Sequence, residues 1–347
     1  MTLSSLVRRS VAIGSAVLLA STALTACGGD SSQGSASGSD HLDAITVGLP
    51  AIPPVFSSLE LFAAKETGIY EKYGLDVTLR PFQTGTDAIK AMQTGEIEVA
   101  FGPAPFFFAL ASKGVPVVAM QGLDVLDWLV ASTDSSITSC ADLKGHAIGV
   151  DAVGGSRYIV LQKILQSCGL SIDDVDTLAF PGAQSIQAMV AGQLKTSVLH
   201  IDELASINKQ GGNAKTLLNY RDLFPDDLYM TVSTRKDELE KNRDVYERFV
   251  AANMKAAEML YDPAKHDQLA KIATFSGQDQ ETASDSLTKF LEIKFWPTDA
   301  GLAEEKVKTT IQGQVKAGNI EQAQAPAYND VVDLSVWEAA VKLAPKS

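Results

Sequence analysis

The sequence predicts an α/β protein built from two similar lobes. Residues 89–97 (IKAMQTGEI) recur 97 positions later as residues 186–194 (IQAMVAGQL), and Gly85 aligns with Gly182 in the same register. Each copy lies between two short apolar stretches, as in a strand–helix–strand unit, and a glycine follows each helix where a C-cap is expected. Two such units favour two lobes of one architecture, although two unrelated amphipathic helices could also match by chance.

Strands and helices alternate along the first half of the chain. Residues 44–49 alternate as a first strand, and Ser57 or Ser58 is expected to cap a helix that runs to about Thr67 before Gly68. The first copy of the repeat lies between predicted strands at 75–82 and 99–101. Residues 115–120 have the continuous apolar character of a further, buried strand.

The second half repeats this alternation and then becomes helical. We predict strands at 147–150, 177–180, 197–199 and 215–218, and a helix at 156–166 that Gly169 closes. Beyond Ser233 the pattern is helical, and the longest helix, at 244–261, cannot extend through Pro263. Crossings near 127–133 and 229–234 divide the chain into lobe I (44–131 and 234–347) and lobe II (132–233), joined by a two-segment hinge.

The first 43 residues have the features of an export signal and a tether. Residues 1–26 contain no acidic side chain, place Arg8 and Arg9 before an apolar run, and end in Leu-Thr-Ala ahead of Cys27, which is a lipobox. The apolar run, about 13 residues, is shorter than the ~20 of a membrane-spanning helix. We therefore predict a removed lipoprotein signal peptide, lipidation and palmitate at Cys27, and a flexible tether over 27–43. The choice between the general and twin-arginine export routes stays open, as does an ordinary N-terminal helix.

Charge and composition argue against several classes of protein. Acidic residues outnumber basic ones, 42 against 29, so nucleic acid is not an expected partner. The four histidines, at positions 41, 146, 200 and 266, are scattered, and the motifs of hydrolases, P-loop proteins and dinucleotide-binding enzymes are missing. The sequence thus predicts no catalytic residue, no metal and no cofactor, and a secreted enzyme is only a remote alternative.

Several short motifs together resemble one family of transport proteins. They are AKETGIY (64–70) with YGLDV (73–77), GEIEVA (95–100), KGVPVV (113–118), DLKG (142–145) with IGV (148–150), and GL (169–170) ahead of DV (174–175). In this order they resemble the nitrate, taurine and alkanesulfonate type of ABC transporter substrate-binding proteins, a group that includes thiamine-precursor binders, over about residues 44–257. The sequence departs from that pattern at Lys195-Thr196-Ser197 and at His200.

The resemblance implies a two-lobed periplasmic-binding-protein-like fold of type II, with a ligand cleft between the lobes. It also implies a lipid-anchored monomer on the extracytoplasmic face of the cell membrane that delivers a small molecule to ABC permease subunits. In open parallel sheets, ligands bind beyond the carboxyl ends of the strands. On the matching turns the resemblance places ligand contacts at Gly85, Thr86, Pro103, Ala104, Gly155, Ser156 and Asp202.

Further cleft candidates come from the residues themselves. Arg157 begins a helix, where a cation is unfavourable unless an anion is close, and Trp128 and His200 stand at the hinge and after a strand. Arg157 and the helix N-termini favour a small organic anion, a sulfonate or carboxylate, whose apolar part Phe56, Trp128 or Tyr158 would cover. A neutral pyrimidine or other vitamin precursor is the main alternative ligand. A ligand-loaded sensor subunit is an alternative to the transport role.

Two cysteines remain once Cys27 is assigned to a lipid. Cys140 precedes a predicted strand, and Cys168 ends the helix that returns antiparallel to that strand, so both are expected at the same end of lobe II. In an oxidising compartment this arrangement predicts a disulfide. Two free thiols are the alternative.

Overall fold

The structure is a computed structural model that describes residues 42–181 and 183–344. The predictions for the signal peptide, the lipid on Cys27 and most of the tether lie outside these residues, as does Gly182. The described part contains ten strands: β1 Asp43–Leu49, β2 Leu75–Pro81, β3 Val99–Pro103, β4 Val117–Leu123, β5 Leu129–Ser132, β6 Ala147–Val150, β7 Asp176–Ala179, β8 Thr196–Leu199, β9 Lys215–Asn219 and β10 Met230–Arg235.

The α-helices of the described residues connect these strands and dominate the last third of the chain. They are α1 Leu59–Glu66, α2 Ile69–Lys72, α3 Gly85–Thr94, α4 Ala104–Ala111, α5 Ser156–Ser167, α6 Gln184–Val190, α7 Ile201–Lys209, α8 Tyr220–Leu223, α9 Lys236–Lys241, α10 Arg243–Leu260, α11 His266–Ile272, α12 Gln280–Glu292, α13 Glu304–Lys316, α14 Tyr328–Val331 and α15 Leu334–Leu343. Short 3₁₀ helices lie at Phe56–Ser58, Ala141–Leu143, Ile172–Asp174, Pro263–Lys265, Ala273–Ser276 and Gln322–Gln324.

The strands form two sheets with the same internal order. The first sheet runs β2-β1-β3-β10-β4 and the second runs β7-β6-β8-β5-β9. In the first, β1 pairs parallel with β2 and β3, and β10 is antiparallel to both β3 and β4. In the second, β6 pairs parallel with β7 and β8, and β5 is antiparallel to both β8 and β9. The predicted α/β, two-lobed fold class is confirmed.

The repeated sequence corresponds to equivalent units of the two sheets. Its first copy lies in β2-α3-β3 and its second in β7-α6-β8, at matching places in the strand order. Gly95 after α3 and Gly192 after α6 have φ angles of +79° and +70°, a backbone conformation that residues with a Cβ adopt at a cost. The sequence likeness therefore reflects one structural unit used twice.

Sheet membership changes where the chain crosses from one sheet to the other. Strand β5, which begins at Leu129, already pairs within the second sheet, and β10, which begins at Met230, already pairs within the first. Both changes come a few residues before the boundaries expected from the sequence. The division into lobes at 131/132 and 233/234 stays a prediction.

Helices cover the first sheet on both sides and bury its apolar residues. Val47 of β1 and Val99 of β3 are fully buried beneath Leu59 of α1 and Phe249 of α10. Among these helices runs a buried polar chain in which the Tyr70 hydroxyl donates to Asn253. Asn253 donates in turn to Gln121, and Gln121 donates to Glu60. Each of these four buried polar side chains therefore has a hydrogen-bond partner.

One predicted helix cap was wrong. Ser58 precedes α1, but its hydroxyl and that of Ser57 are buried without a hydrogen-bond partner among the described residues. The reason is that the 3₁₀ turn at Phe56–Ser58 leads directly into α1, and the amide of Leu59 bonds to the carbonyl of Phe56. The preceding 3₁₀ turn thus supplies a hydrogen bond at the start of α1, where a serine side chain was expected to supply one.

The predicted disulfide is present. Cys140 and Cys168 are bonded, with their Cα atoms 6.2 Å apart. Cys168 is the C-cap of α5, and Cys140 precedes the 3₁₀ turn that leads towards β6.

No helix within the described residues is both long enough and apolar enough to cross a membrane.

Candidate ligand-binding site

A cavity of about 540 Å³ lies beyond the carboxyl ends of β1 and β8. We call it the main cavity. Its walls are the loop that follows β1, the first turns of α7, and residues 276–282, which lead into α12. Apolar groups such as Val55, Phe56 and Ile186 share its surface with the charged residues Arg157, Asp202 and Glu203. A volume of this size suits a small organic molecule.

A smaller space of about 40 Å³ adjoins the main cavity and shares Ala51, Val55, Arg157 and His200 with it. We call it the inner space. Gly85, Trp128, Ser156 and Tyr229 complete its wall. Because these residues come from loops of both sheets, the two spaces lie where parallel strands end, as the general rule for open α/β sheets predicts.

The structure brings most of the candidate residues to these two spaces, and it places four elsewhere. Asp202 lines the main cavity, Gly85, Trp128 and Ser156 line the inner space, and Arg157 and His200 line both. Pro103 borders a further pocket of about 40 Å³, which shares Trp128, Ser156 and Tyr229 with the inner space. The remaining three, which border none of these spaces, are Thr86, Ala104 and Gly155.

Thr86, Ala104 and Gly155 have structural settings of their own. Thr86 is buried in the first turn of α3 and its hydroxyl has no partner among the described residues. Gly155 is the N-cap of α5, and a Cβ there would approach the Asp151 carboxyl group to 2.4 Å. Of the two aromatic side chains expected to cover a ligand beside Trp128, Phe56 lines the main cavity, whereas Tyr158 packs against the core.

Arg157 is already paired within the protein. Its guanidinium donates to Glu203 Oε1 at 2.6 Å, to the carbonyl of Val198 at 2.8 Å and to Ser185 Oγ at 3.3 Å. Both ionic side chains are almost completely buried. The anion that the sequence required beside Arg157 is therefore supplied by α7.

The two charges of this pair stabilise each other. Burial alone would lower the pKa of Arg157, but the charge and hydrogen bond of Glu203, together with the charges of Asp151 and Asp202, raise it overall. Burial would likewise raise the pKa of Glu203, yet Arg157 and His200 together lower it overall. Both groups are consequently ionised at neutral pH.

A second pair joins His200 to the residue before Trp128. His200 Nδ1 lies 2.7 Å from Asp127 Oδ2, and both side chains are buried. Burial would lower the pKa of His200, but the charge and hydrogen bond of Asp127, together with the charge of Glu203, raise it overall. The Trp128 ring lies 3.7 Å from the His200 ring, centroid to centroid. This contact holds the imidazole between a carboxylate and an indole.

Asp202 differs from these residues because no cation pairs with it directly. Its Oδ2 accepts a hydrogen bond from Gln278 Nε2 at 2.9 Å, whereas its Oδ1 is buried with no partner among the described residues. Burial, followed by the charge of Glu203, raises the pKa of Asp202 to about 7. The Ser206 hydroxyl, one turn along α7, is also buried without a partner in the described part of the chain.

Asp127, His200 and Asp202 form a group that could in principle ligate a metal, since one donor atom from each lies within 4.8 Å of the others. The sequence had predicted scattered histidines and no such group. Two of the three donors already bond to each other, so an ion between them would have to replace the His200–Asp127 hydrogen bond. The geometry of the described residues therefore suits an ion pair better than a metal site.

Sequence reasoning missed four of the residues that shape the site. Glu203 could have been found, because a glutamate three residues after the N-cap of a helix reaches back to the N-cap amide, as it does here to His200 N at 2.9 Å. Asp127 directly precedes the candidate Trp128, but Asp127 itself was not predicted to lie at the site. Ser206 and Gln278 carry no local signal, because only the packing of α7 against the segment before α12 brings them to the cavity.

The chain matches a known protein family over much of its length. Residues 56–266 match the family model described as NMT1/THI5 like. A protein of Brucella abortus (strain 2308) that is named provisionally as a binding protein is 25% identical over 261 residues, which cover 73% of this chain and 76% of that protein.

Solved structures share the fold at low sequence identity. The nitrate-binding protein NrtA of Synechocystis PCC 6803 has a TM-score of 0.72 and 16% identity, over 87% of this chain and 89% of that one. The ligand-binding component of an ABC-type import system of Staphylococcus aureus has a TM-score of 0.68 and 17% identity, over 86% and 99% of the chains. The alkanesulfonate-binding protein SsuA of Xanthomonas axonopodis pv. citri has a TM-score of 0.67 and 16% identity, over 84% and 98%.

Proposed function

The chain belongs to the NMT1/THI5-like family, and we propose that it is the extracytoplasmic solute-binding component of an ABC importer. One observation carries the proposal: the main cavity lies at the carboxyl ends of strands, between elements that belong to different sheets. The ABC-type import component of S. aureus, which has the same fold, supports this role. The protein would hold a small solute there and present it to permease subunits.

Capture would follow from the two sheets approaching each other around the solute. A solute that contacts both the loop after β1 and the start of α7 binds the closed arrangement more tightly than an open one, and this difference in affinity shifts the population. Lobe I (44–131 and 234–347) and lobe II (132–233) would move about the two crossings of the chain. Closure also removes the solute from water.

Two classes of solute are candidates for the main cavity. A small organic anion is supported by the nitrate-binding and alkanesulfonate-binding proteins that share the fold. A neutral pyrimidine or other vitamin precursor is favoured by the pairing of Arg157 with Glu203 and of His200 with Asp127. Because both cations already have a carboxylate partner, a solute anion would depend on backbone amides and neutral donors.

The remaining features of the proposal come from the sequence. Residues 1–26 would be removed as a signal peptide, Cys27 would carry the lipid, including palmitate, and residues 27–43 would tether the folded part to the outer face of the cell membrane. We propose a monomer that performs no catalysis. A sensor that docks to a receptor is the alternative, and uptake of labelled solute by cells with and without the gene distinguishes transport from sensing.

Binding to the main cavity can be tested with two matched variants. Gln187 and Gln193 are both exposed, but only Gln187 lines the cavity. The purified protein is first screened by thermal shift against sulfonates, carboxylates and pyrimidines, where a solute at 100 times its Kd should stabilise it by about 2.7 kcal/mol. We expect Gln187→Trp to weaken binding of the solute found at least tenfold and Gln193→Trp to leave it unchanged. Equal affinities for the two variants would place the solute elsewhere.

A further inference from the structure

The buried charges around the main cavity do not balance. Three carboxylates, those of Asp127, Asp202 and Glu203, are buried there together with two cationic side chains, those of Arg157 and His200. Arg157 is bonded to Glu203 and His200 to Asp127. Asp202 is the carboxylate left over, and the arrangement has one more acidic group than basic group.

The protein offers Asp202 little to offset its burial. Its one hydrogen-bonding partner among the described side chains is the neutral amide of Gln278. Lys209, which also lines the cavity, is directed to Asp279 and Glu281 at 3.1 and 3.0 Å. His200 acts on Asp202 through its charge: its Nδ1 is bonded to Asp127, and among the described residues no hydrogen bond joins His200 to Asp202. A buried carboxylate with one free oxygen is costly unless a partner arrives from outside.

The surroundings of Asp202 indicate the size and character of that partner. The main cavity, at about 540 Å³, is much larger than a bare metal ion needs and lies within the range of small-molecule sites. The Ser206 hydroxyl, buried and without a partner in the described residues, lines the same cavity. Pro54, Val55 and Phe56 provide an apolar wall on the side of the loop after β1.

We infer that the solute carries a protonated nitrogen group, which binds the Asp202 carboxylate with Ser206 as a second acceptor. The inference rests on the proposed function and adds the chemical class of one end of the solute. The apolar part would lie against Phe56 and Val55. A carboxylate or sulfonate at the far end is compatible with this arrangement, so aminosulfonates and amino acids fall within the class as well as simple amines and amidines.

The test compares defined solutes that differ in the nitrogen group. One set carries a protonated nitrogen alone (benzylamine, benzamidine, agmatine), a second carries it with an anionic group (taurine, γ-aminobutyrate, arginine), and a third lacks it (benzyl alcohol, benzamide, benzoate, ethanesulfonate, thymine). Each is measured with the full chain by thermal shift, and hits by calorimetry. We expect binding in the first or second set and none in the third of comparable affinity. A best binder from the third set would overturn the inference.

A variant then links the binding to Asp202. For the best solute we expect Asp202→Asn to bind at least about 30-fold more weakly, because the substitution removes the charge and keeps the shape. Asp173→Asn, at an exposed position in the 3₁₀ turn at Ile172–Asp174, serves as the matched control and should bind as the wild type does. An Asp202→Asn affinity within threefold of wild type would also overturn the inference.

The comparison of solute sets uses the wild-type chain, so it tests the inferred protonated nitrogen group even if the Asp202→Asn variant does not fold. Binding by no member of the three sets would contradict the proposed function itself, and this inference would fall with it. Binding confined to the third set would contradict only the inference and would leave the solute-binding role standing.

Discussion

Replacement of Glu203 by glutamine tests whether the Arg157–Glu203 pair holds the start of α7 to α5. The substitution keeps the size of the side chain and removes the charge that faces the guanidinium at 2.6 Å. Arg157 would still donate to Val198 and Ser185, but its charge would be buried without a counter-ion. The Glu203 hydrogen bond from the His200 amide would also weaken.

The expected loss of stability is large because both partners are buried, with 5% and 11% of their side-chain surface exposed. Removing one partner of a buried ion pair costs about 3 to 5 kcal/mol. For a chain of this size that loss corresponds to a fall in Tm of roughly 5 to 8 °C. An exposed pair provides a matched control, since Arg80 and Glu96 lie at the same 2.6 Å but are about half exposed, and Glu96→Gln should cost less than about 1 kcal/mol.

Urea unfolding and scanning calorimetry of the solute-free protein give the measurement. The double variant Arg157→Met/Glu203→Gln should recover at least half of the loss, because it leaves no unpaired charge behind. A Glu203→Gln variant within about 1 kcal/mol of wild type, or a double variant less stable than Glu203→Gln alone, would refute the assignment of the pair as a stabilising contact.

Three other predictions follow from the structure. Cys140→Ser/Cys168→Ser should lose about 3 to 4 kcal/mol, the chain-entropy value for a loop of 28-residue separation, and alkylation of two thiols in the unfolded, non-reduced wild type would contradict the disulfide. Stability of the solute-free protein should fall as pH rises from about 4 to 7, because the folded pKa of Asp202 and of Glu60, about 7 each, exceeds the ordinary carboxyl value; urea titrations of Asp202→Asn should show a shallower slope, and an unchanged slope would contradict the assignment. Asn253→Ala should cost about 2 to 3 kcal/mol, since it leaves the Tyr70 hydroxyl without its acceptor and Gln121 Oε1 without its donor; a loss below about 0.5 kcal/mol would count against that polar chain.

The pH prediction depends on the direction of each shift. A carboxyl group whose pKa is raised in the folded state holds its proton more tightly there, so stability is lost as pH rises from the unfolded value to the folded one. His200, whose pKa is also raised by Asp127, contributes stability at low pH that is lost as pH rises through its folded pKa. Glu203 has the opposite effect, because its pKa is lowered and its contribution is lost only in acid.

The fold could be predicted from the sequence because its signals are local. Strand β6 begins and ends where the apolar pattern predicted, and the helices that precede Gly95 and Gly192 were found from one repeat. The likeness of the two lobes followed from that repeat, since a second copy of a strand–helix–strand unit implies a second sheet of the same kind. Short-range periodicity and glycine positions were sufficient for this level of description.

The site was predicted in its location but not in its partners. Arg157 was expected to contact an anionic ligand, and the structure pairs it with a protein carboxylate; a contact with the solute stays a prediction. The anion beside Arg157 in the structure is the carboxylate of Glu203, 46 positions along the chain. The sequence around Arg157 does not indicate that the packing of α7 brings Glu203 to it. If Arg157 also contacts an anionic solute, we expect Arg157→Ala to weaken binding of that solute about 30-fold or more. Its measurement now has to be separated from the loss of stability that the same substitution would cause.

Neighbouring carboxylates on α7 show why such partners escape sequence reasoning. Asp202 and Glu203 are adjacent in the chain, but successive residues of a helix point about 100° apart. Glu203 therefore reaches Arg157, and its pKa is lowered, whereas Asp202 meets only a neutral amide and its pKa rises to about 7. One of the two stabilises the protein, and we assign the other to the solute. The sequence alone presents them as equivalent, and the difference depends on which side chains the opposite loops bring to each of them.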